Sequence, residues 1–322
     1  MKHWIAYGLG VAILGITAIA LFCSYFGWPI YLEILSHFQI QYFVISLLLF
    51  GCLWLTRHKP LILISLFILA IQSSQIVPWY LPQLGFSPSR PANLKILVAN
   101  LNVQNKSYAK VLSLVRREKP DLALFMEIDQ AWMEQLDQLN DVLPYRFGKA
   151  NPYNLGIAVY SRQQLKNPQF NLFGTDQNIG ITGQLTVNQQ AIELVGIHPL
   201  PPARTQFFHL RNRQLEAVSQ YVKTLSNPVV VIGDMNITMW SPYYKRLTNK
   251  TGLVNARRGF GIVPSWPTES SFKRSPDWFL SLLSIPIDQC LISPSIQVTN
   301  VFTGASTGSD HRPLLVDLSV SR

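Results

Sequence analysis

The sequence predicts an α/β (α+β) sandwich domain preceded by transmembrane helices, and three observations lead there. Of the 27 Lys+Arg and 17 Asp+Glu, only Lys2, Glu33, Arg57, Lys59 and Arg90 fall in residues 1–92. That same stretch holds three long uncharged apolar segments. From residue 93 onward, short apolar runs alternate with amphipathic ones, with many strand-like segments and few helical ones. The 48% hydrophobic and 14% charged composition excludes a disordered chain, a collagen and a coiled coil.

Trp4–Trp28 contains no charge and is long enough as a helix for a bilayer core, which needs about 20 apolar residues. Phe38–Thr56 is a second such stretch. A third begins at Leu61 and becomes more polar at Gln72-Ser-Ser-Gln75. Lys2 and Ala18-Ile-Ala20 also fit a cleaved signal peptide, but two more apolar segments follow, so the chain stays in the membrane either way. Arg57-His-Lys59 fills the loop between the second and third segments, whereas the loop between the first and second has only Glu33. The positive-inside rule then keeps the N-terminus cytoplasmic and puts everything after Tyr80 on the other side. The expected organisation is a multi-pass membrane anchor over 1–85, a Pro/Ser linker over 86–92 and a globular domain over 93–322. Cys23 and Cys52 lie in the apolar segments and Cys290 is alone in the domain, which excludes an intradomain disulfide and a Cys/His zinc pattern.

Within the domain, strands are expected at Leu94–Leu101, Asp121–Met126, Gly156–Ser161, Ile181–Val187, Ile192–Ile197, Val229–Gly233, Ile287–Ile292 and Leu314–Leu318. Tyr108–Arg117, with Val111, Leu112 and Val115 at helical spacing, and Thr205–Leu225 read as helices. The strands end in residues that bind cations or move protons. Leu94–Ala99 runs into Asn100 and Asn102, Leu122–Met126 into Glu127, and Ile192–Ile197 into His198. Val229–Gly233 runs into Asp234-Met-Asn236, Ile285–Ile287 into Asp288, and Ser309 precedes Asp310-His311. Converging, these ends make one pocket on rigid supports. Singly, each also reads as a turn, a cap or a solvated loop.

Taken in order, Leu94-Lys-Ile-Leu-Val-Ala-Asn100, Pro120-Asp-Leu-Ala-Leu-Phe-Met-Glu127, Gly156-Ile-Ala-Val-Tyr-Ser-Arg162, Gly196-Ile-His198-Pro, Gly233-Asp-Met-Asn236, Pro286-Ile-Asp288 and Ser309-Asp-His-Arg-Pro313 carry a resemblance. The chain resembles the endonuclease/exonuclease/phosphatase (DNase I-like) superfamily over essentially all of 93–322. Asn212-Arg-Gln-Leu215, Trp240-Ser-Pro242 and Trp266-Pro267 look like a membrane-anchored bacterial branch. The resemblance implies a four-layer sandwich of two mostly antiparallel sheets flanked by helices. It also implies a divalent-metal-dependent phosphoesterase using magnesium, with manganese as the alternative, held by Asn100, Glu127 and Asp310. By the same resemblance Asp234 orients or deprotonates water, and Asn236 holds the phosphate or that aspartate. His311 contacts the phosphate with Asp288 fixing its ring, and His198 serves the leaving group. Two positions depart from the pattern: Gln289 stands where a histidine is common, and Ala99 where Trp is common.

The substrate stays open. A domain of net charge +7 suits nucleic acid or an anionic membrane surface, so nuclease-type, phospholipid-type and small phosphoester substrates remain. Arg204, Arg211, Arg213, Arg257 and Arg258 read as a phosphate-facing patch or a solvated basic surface, and Trp240, Trp266 and Trp278 as an entrance or as core. Asn249-Lys-Thr251 matches a glycosylation sequon, meaningful only in a eukaryotic secretory protein. The competing function is a non-catalytic membrane receptor or scaffold that binds a phosphorylated ligand. Such a protein has no use for a proton-transfer set.

Overall fold

A computed structural model describes residues 2–82, 91–176, 178–272 and 275–321. Most of the Pro/Ser linker read at 86–92 lies outside the described residues. The N-terminal segment folds into α1 (Lys2–Phe26), α2 (Ile30–Ser36), α3 (Gln39–Leu55) and α4 (Lys59–Ser73). Two helices, Lys2–Phe26 and a continuation of α4 to Trp79, are long and apolar enough to cross a membrane. The bent pair of α2 and α3, at 64° to one another, makes a third if it is one span. Sequence reading missed α2, whose seven residues surround Glu33. α1, α3 and α4 pack through Ala6, Ile13, Leu53 and Ile68 and present Trp4, Val11, Leu48 and Phe67 outward.

The domain is built on two six-stranded sheets. The first has the order β11 (Gln297–Thr303), β12 (Leu314–Ser319), β1 (Leu94–Asn100), β2 (Leu122–Met126), β4 (Ile157–Ser161), β3 (Tyr145–Lys149). The second runs β5 (Lys166–Asn171), β6 (Gly180–Val187), β7 (Gln190–Gly196), β8 (Val229–Asp234), β10 (Asp288–Ile292), β9 (Val254–Asn255). Each sheet has one parallel pair at its centre, β1 with β2 and β7 with β8; the other pairs are antiparallel.

Strand residues alternate between two cores because side chains on a strand point to opposite faces in turn. Ile96, Val98, Leu122 and Leu124 face Ile181, Ile192, Leu194, Val230 and Ile232 of the other sheet. Leu97, Ala99, Ala123 and Phe125 point the other way, under α5 (Tyr108–Glu118) and α6 (Gln130–Leu136). On the second sheet, Val195, Val229 and Val231 lie under α7 (Thr205–Val222) and α8 (Pro242–Thr251). A short α9 (Asp277–Leu283) precedes β10. The result is the expected sandwich of helix, sheet, sheet and helix. Strands buried on both faces read as continuous apolar runs, which is why the central ones were legible in sequence.

The edge strands were missed. β3 and β5 are largely exposed and polar, β11 is mostly half-buried, and β9 has two residues. α8 is polar overall and buries Pro242, Tyr244 and Leu247, so composition did not mark it. Local chemistry sets it instead: the Ser241 hydroxyl accepts from the Tyr243 amide, Pro242 opens the helix, and Gly252 in the left-handed region closes it.

Candidate active site

Topology explains why the functional strand ends meet. In each parallel pair the two C-termini lie side by side, which brings Asn100 next to Glu127, and His198 next to Asp234. Antiparallel neighbours then bring the opposite ends of two further strands. Asp288 opens β10 directly across from Asp234. Leu314 of β12 pairs with Val98, so Asp310 and His311 lie just beyond the end of β1. Asp288 therefore begins β10, one residue inside the expected strand Ile287–Ile292, and is not the end of a strand at Ile285–Ile287. The two sheets touch at these ends, where the Asp234 amide donates to Met126 Sδ at 3.1 Å.

All eight sequence-predicted residues come together. The Asn100 amide donates to Glu127 Oε1 at 2.9 Å and to Asp234 Oδ2 at 3.2 Å. Asp310 Oδ1 accepts from the Asn102 side chain at 2.9 Å. His198 Nε2 lies 3.7 Å from both Glu127 Oε1 and Asp234 Oδ2. His311 is clamped, with Nδ1 at 2.8 Å from Asp288 Oδ2 and Nε2 at 3.6 Å from Asp234 Oδ2. Asn236 touches Asp234 through its backbone: its amide donates to Asp234 Oδ1 at 2.9 Å, while its side chain donates to the Pro199 carbonyl. Among the described residues, Asp234, Asp288 and His311 offer metal-ligand atoms within 4.8 Å of one another. A His311 ring donating to Asp288 and charged has no lone pair for a cation, however, so this trio is better described as a relay in which His311 is hydrogen-bonded to Asp288 and ion-paired with Asp234.

Burial sets the electrostatics. It raises the Glu127 carboxyl to about 7, against the Asn100 hydrogen bond. The Asp234 carboxyl is raised by burial, opposed by His311. His198 is lowered to about 4 by burial and by the charge of His311, so it is neutral at pH 7. His311 moves the other way. Burial disfavours its charge, but the Asp288 and Asp234 carboxylates overcome this and hold it protonated. Asp288 in turn is held below the usual range by His311 against its own burial.

The backbone at the site is strained. Asn102, Glu127 and Asn236 have φ of 57°, 54° and 51°, a region ordinary side chains rarely occupy except in functional turns. Gly233, at φ 147°, has no room for a side chain: a Cβ there would lie 1.7 Å from the Ile197 carbonyl. That close approach is what lets β7 and β8 end together.

Supporting residues escaped sequence reading. The Ser309 hydroxyl donates to the Asn100 carbonyl and accepts from the His311 amide. Ser265 accepts from the Asp288 amide, and buried Asn178 donates to the His198 carbonyl at 2.6 Å. Only Ser309 carried a signal, through its place before Asp310-His311. Of the five arginines read as a surface patch, Arg211 and Arg257 are fully buried and belong to neither alternative. Gln289 is also buried. It accepts from Asn255 and Arg257 and donates to the Ile237 and Pro286 carbonyls, so it braces the core rather than the rim. Trp240 is buried and Trp278 exposed. A cleft of ≈ 480 Å³ opens beside Glu127 and His198, lined on its apolar side by Tyr153, Leu155, Leu200, Phe207 and Leu210.

A model of the Endonuclease/Exonuclease/phosphatase family matches residues 97–311, from the first sheet strand to His311. The chain belongs to the endonuclease/exonuclease/phosphatase family. Solved structures of the same fold include D. rerio TDP2 complexed with single strand DNA product, at TM-score 0.58 and 15% identity over 70% of this chain and 99% of that one. An AP endonuclease from Archaeoglobus fulgidus has TM-score 0.57 and 16% identity over 70% of this chain and 100% of its own. An endonuclease/exonuclease/phosphatase from Bacteroides vulgatus has TM-score 0.55 and 15% identity over 71% and 99%. No curated protein matches the chain by sequence. Membership in the endonuclease/exonuclease/phosphatase family supports a phosphoesterase.

Proposed function

We propose that the protein is a membrane-anchored, divalent-metal-dependent phosphoesterase that hydrolyses phosphodiester bonds. The observation that carries this reading is the meeting of Asn100, Glu127, His198, Asp234, Asn236, Asp288, Asp310 and His311 at the adjoining ends of two sheets. A receptor for a phosphorylated ligand has no need of the Asp288–His311–Asp234 relay.

The donor set fits a hard cation. Carboxylate and amide oxygens are the ligands magnesium takes, and it takes few of them. Glu127 is a largely enclosed carboxylate, its side chain 15% exposed, whose charge is costly without a positive neighbour, as its raised pKa records. Asn100, Glu127 and Asp310 would hold the ion, magnesium or manganese. When bound, it supplies neutralisation of the phosphate and polarisation of its oxygens.

The remaining work falls to the chain. Asp234, with a carboxyl raised by burial, takes the proton of the attacking water. A carboxylate poised nearer neutral pH is a better base. The Asn236 amide holds Asp234 Oδ1, leaving Oδ2 facing Asn100, His198 and His311. Charged His311, its ring fixed by Asp288, donates from Nε2 to a phosphate oxygen. His198 is neutral in the free site and gains its proton beside an anionic phosphate, then gives it to the leaving oxygen. The apolar wall of the cleft receives the organic part of the ester, a nucleic-acid base or a lipid portion. The N-terminal helices are read as a multi-pass anchor that places the domain on the non-cytoplasmic side.

The test is turnover by the full chain in detergent with plasmid DNA, RNA, sphingomyelin, phosphoinositides and a generic phosphodiester, with magnesium and with EDTA. Metal-dependent hydrolysis abolished by Asp234→Ala supports the reading and names the substrate class. A folded protein that binds no metal and hydrolyses none of these esters overturns it.

A further inference from the structure

The N-terminal helices do more than lie beside the domain. They grip one loop of the active site at nearly every other residue. This loop, residues 236–241, joins Asp234 to α8. Arg211 of α7 donates from Nη1 to the Asn236 carbonyl at 2.9 Å, and its Nη2 pairs with Glu33 Oε1 of α2 at 3.2 Å, both side chains fully buried. His37 Nδ1 meets the Thr238 hydroxyl at 3.0 Å, and the Ser24 hydroxyl donates to the Trp240 carbonyl at 2.9 Å. The Trp240 indole donates to the Gln75 carbonyl at 2.8 Å, and the Ser241 hydroxyl donates to Glu33 Oε1 at 2.7 Å. The Arg211 guanidinium also lies over the Phe208 and Tyr243 rings, 5.1 and 5.8 Å from their centroids.

Glu33 is the lone acid of residues 1–92. A buried carboxylate and guanidinium persist only when each satisfies the other, because a single buried charge is strongly disfavoured. This pair also reaches the chemistry. The Asn236 backbone sits at φ 51°. Its carbonyl is held by Arg211 and its amide holds Asp234 Oδ1.

We propose that Glu33 is a positioning residue of the active site: through Arg211 it fixes the turn at Asn236 and thereby the Asp234 carboxylate, so the N-terminal helices are a working part of the catalytic centre. The catalytic half of this inference rests on the phosphoesterase reading; the structural half does not.

The test uses the full chain in detergent, with two readouts: amide hydrogen exchange over Met235–Ser241, and kcat and KM for a generic phosphodiester with magnesium. Glu33→Gln should speed exchange in that loop about tenfold or more while leaving β1 and β2 protected. It should lower kcat by about 10²-fold, the scale of a misplaced reacting group, with KM within about twofold. Glu33→Leu/Arg211→Met replaces both charges with apolar side chains. It should regain stability but not kcat, since the Asn236 carbonyl stays unheld. Recovery of kcat along with stability would reduce the pair to a packing contact and overturn the proposal. So would wild-type exchange and kcat in folded Glu33→Gln. If Glu33→Gln does not fold, Glu33→Asp keeps the charge and draws the carboxylate back from Arg211. Faster loop exchange with lower kcat then supports the proposal, and wild-type values of both defeat it. Glu216→Gln, on the exposed face of α7, is the control and leaves both readouts unchanged. A wild-type protein silent on every phosphodiester would overturn the proposed activity while leaving the exchange result to stand.

Discussion

The two sheets of this protein share one plan but carry different side chains into the site. Each has six strands and one central parallel pair whose C-terminal ends open into the site. The first sheet contributes Asn100 and Glu127, with Asp310 and His311 arriving ahead of β12. On the proposed reading its carboxylates and amide suit an ion, while His311 crosses to Asp288 and Asp234 of the second sheet. The second sheet contributes His198, Asp234, Asn236 and Asp288, a set suited to protons. Their outer surroundings differ as well. The first sheet is covered by α5 and α6. The second is covered by α7 and α8, which in turn meet the N-terminal helices through Arg211, Tyr243 and Lys245. The contrast teaches that two sheets of one plan differ in the side chains at the strand ends, and on the proposed reading it is these that divide the labour. The strands themselves are interchangeable apolar supports.

The largest expected effect separates the two halves. On the proposed reading, Asp234→Asn lowers kcat by about 10²–10⁴-fold and leaves magnesium affinity nearly intact, whereas Glu127→Gln weakens magnesium binding itself. Calorimetric titration beside steady-state kinetics would break the comparison if both variants lost the same quantity. Next comes the core of the first half. Trp132 is fully buried under that sheet, and Trp132→Ala should cost about 3–5 kcal/mol in denaturant unfolding. A loss well below that range would mean the α6 layer contributes little.

The third prediction concerns pH. His311 has a folded pKa above its unfolded value of about 6.5. Its contribution is therefore complete below that value and is lost as pH rises through the folded pKa. Metal-free protein should lose thermal stability from about pH 6.5 upward. Asp288→Asn, which removes the partner in the second sheet, should flatten that slope. A slope unchanged in Asp288→Asn would assign the proton elsewhere. The smallest effect is on the surface of α7. Glu216 and Lys250 form an exposed pair, and Glu216→Gln should change unfolding free energy by no more than about 1 kcal/mol. This gives the baseline against which the buried Glu33–Arg211 pair is measured.

Most of the fold's centre was legible in the sequence. Strands buried on both faces are runs of Val, Ile and Leu, and the central strands and their neighbours with such runs were found nearly to their ends. β3 and β5 were not, since polar edge strands are stabilised by pairing rather than by composition. The site was legible because the residues at the strand ends are unusual in type and order. Asp288 was read both within the expected strand Ile287–Ile292 and as the residue into which Ile285–Ile287 runs; pairing with β8 makes it the opening residue of β10. Arg211 and Arg257 were read as surface because arginine almost never lies fully buried without a partner. Beside near neighbours such as Asn212 and Val263, each has a partner far along the chain: Gln289 for Arg257, and for Arg211 Glu33 in an N-terminal helix.

By itself the sequence determined that apolar helices precede an α/β sandwich, and which eight side chains at strand ends could bind a cation or move a proton. These follow from hydrophobic pattern and residue type, which are local properties; the phosphodiester chemistry came from the family resemblance of the segments taken in order. Tertiary structure alone decided that Asp288 faces Asp234 across a strand pair, that His311 is held charged while His198 is neutral, and that Glu33 reaches Asn236 through Arg211. Each of these depends on burial and on neighbours brought from far along the chain. A charge's preferred state is set by its surroundings, and only folding supplies them.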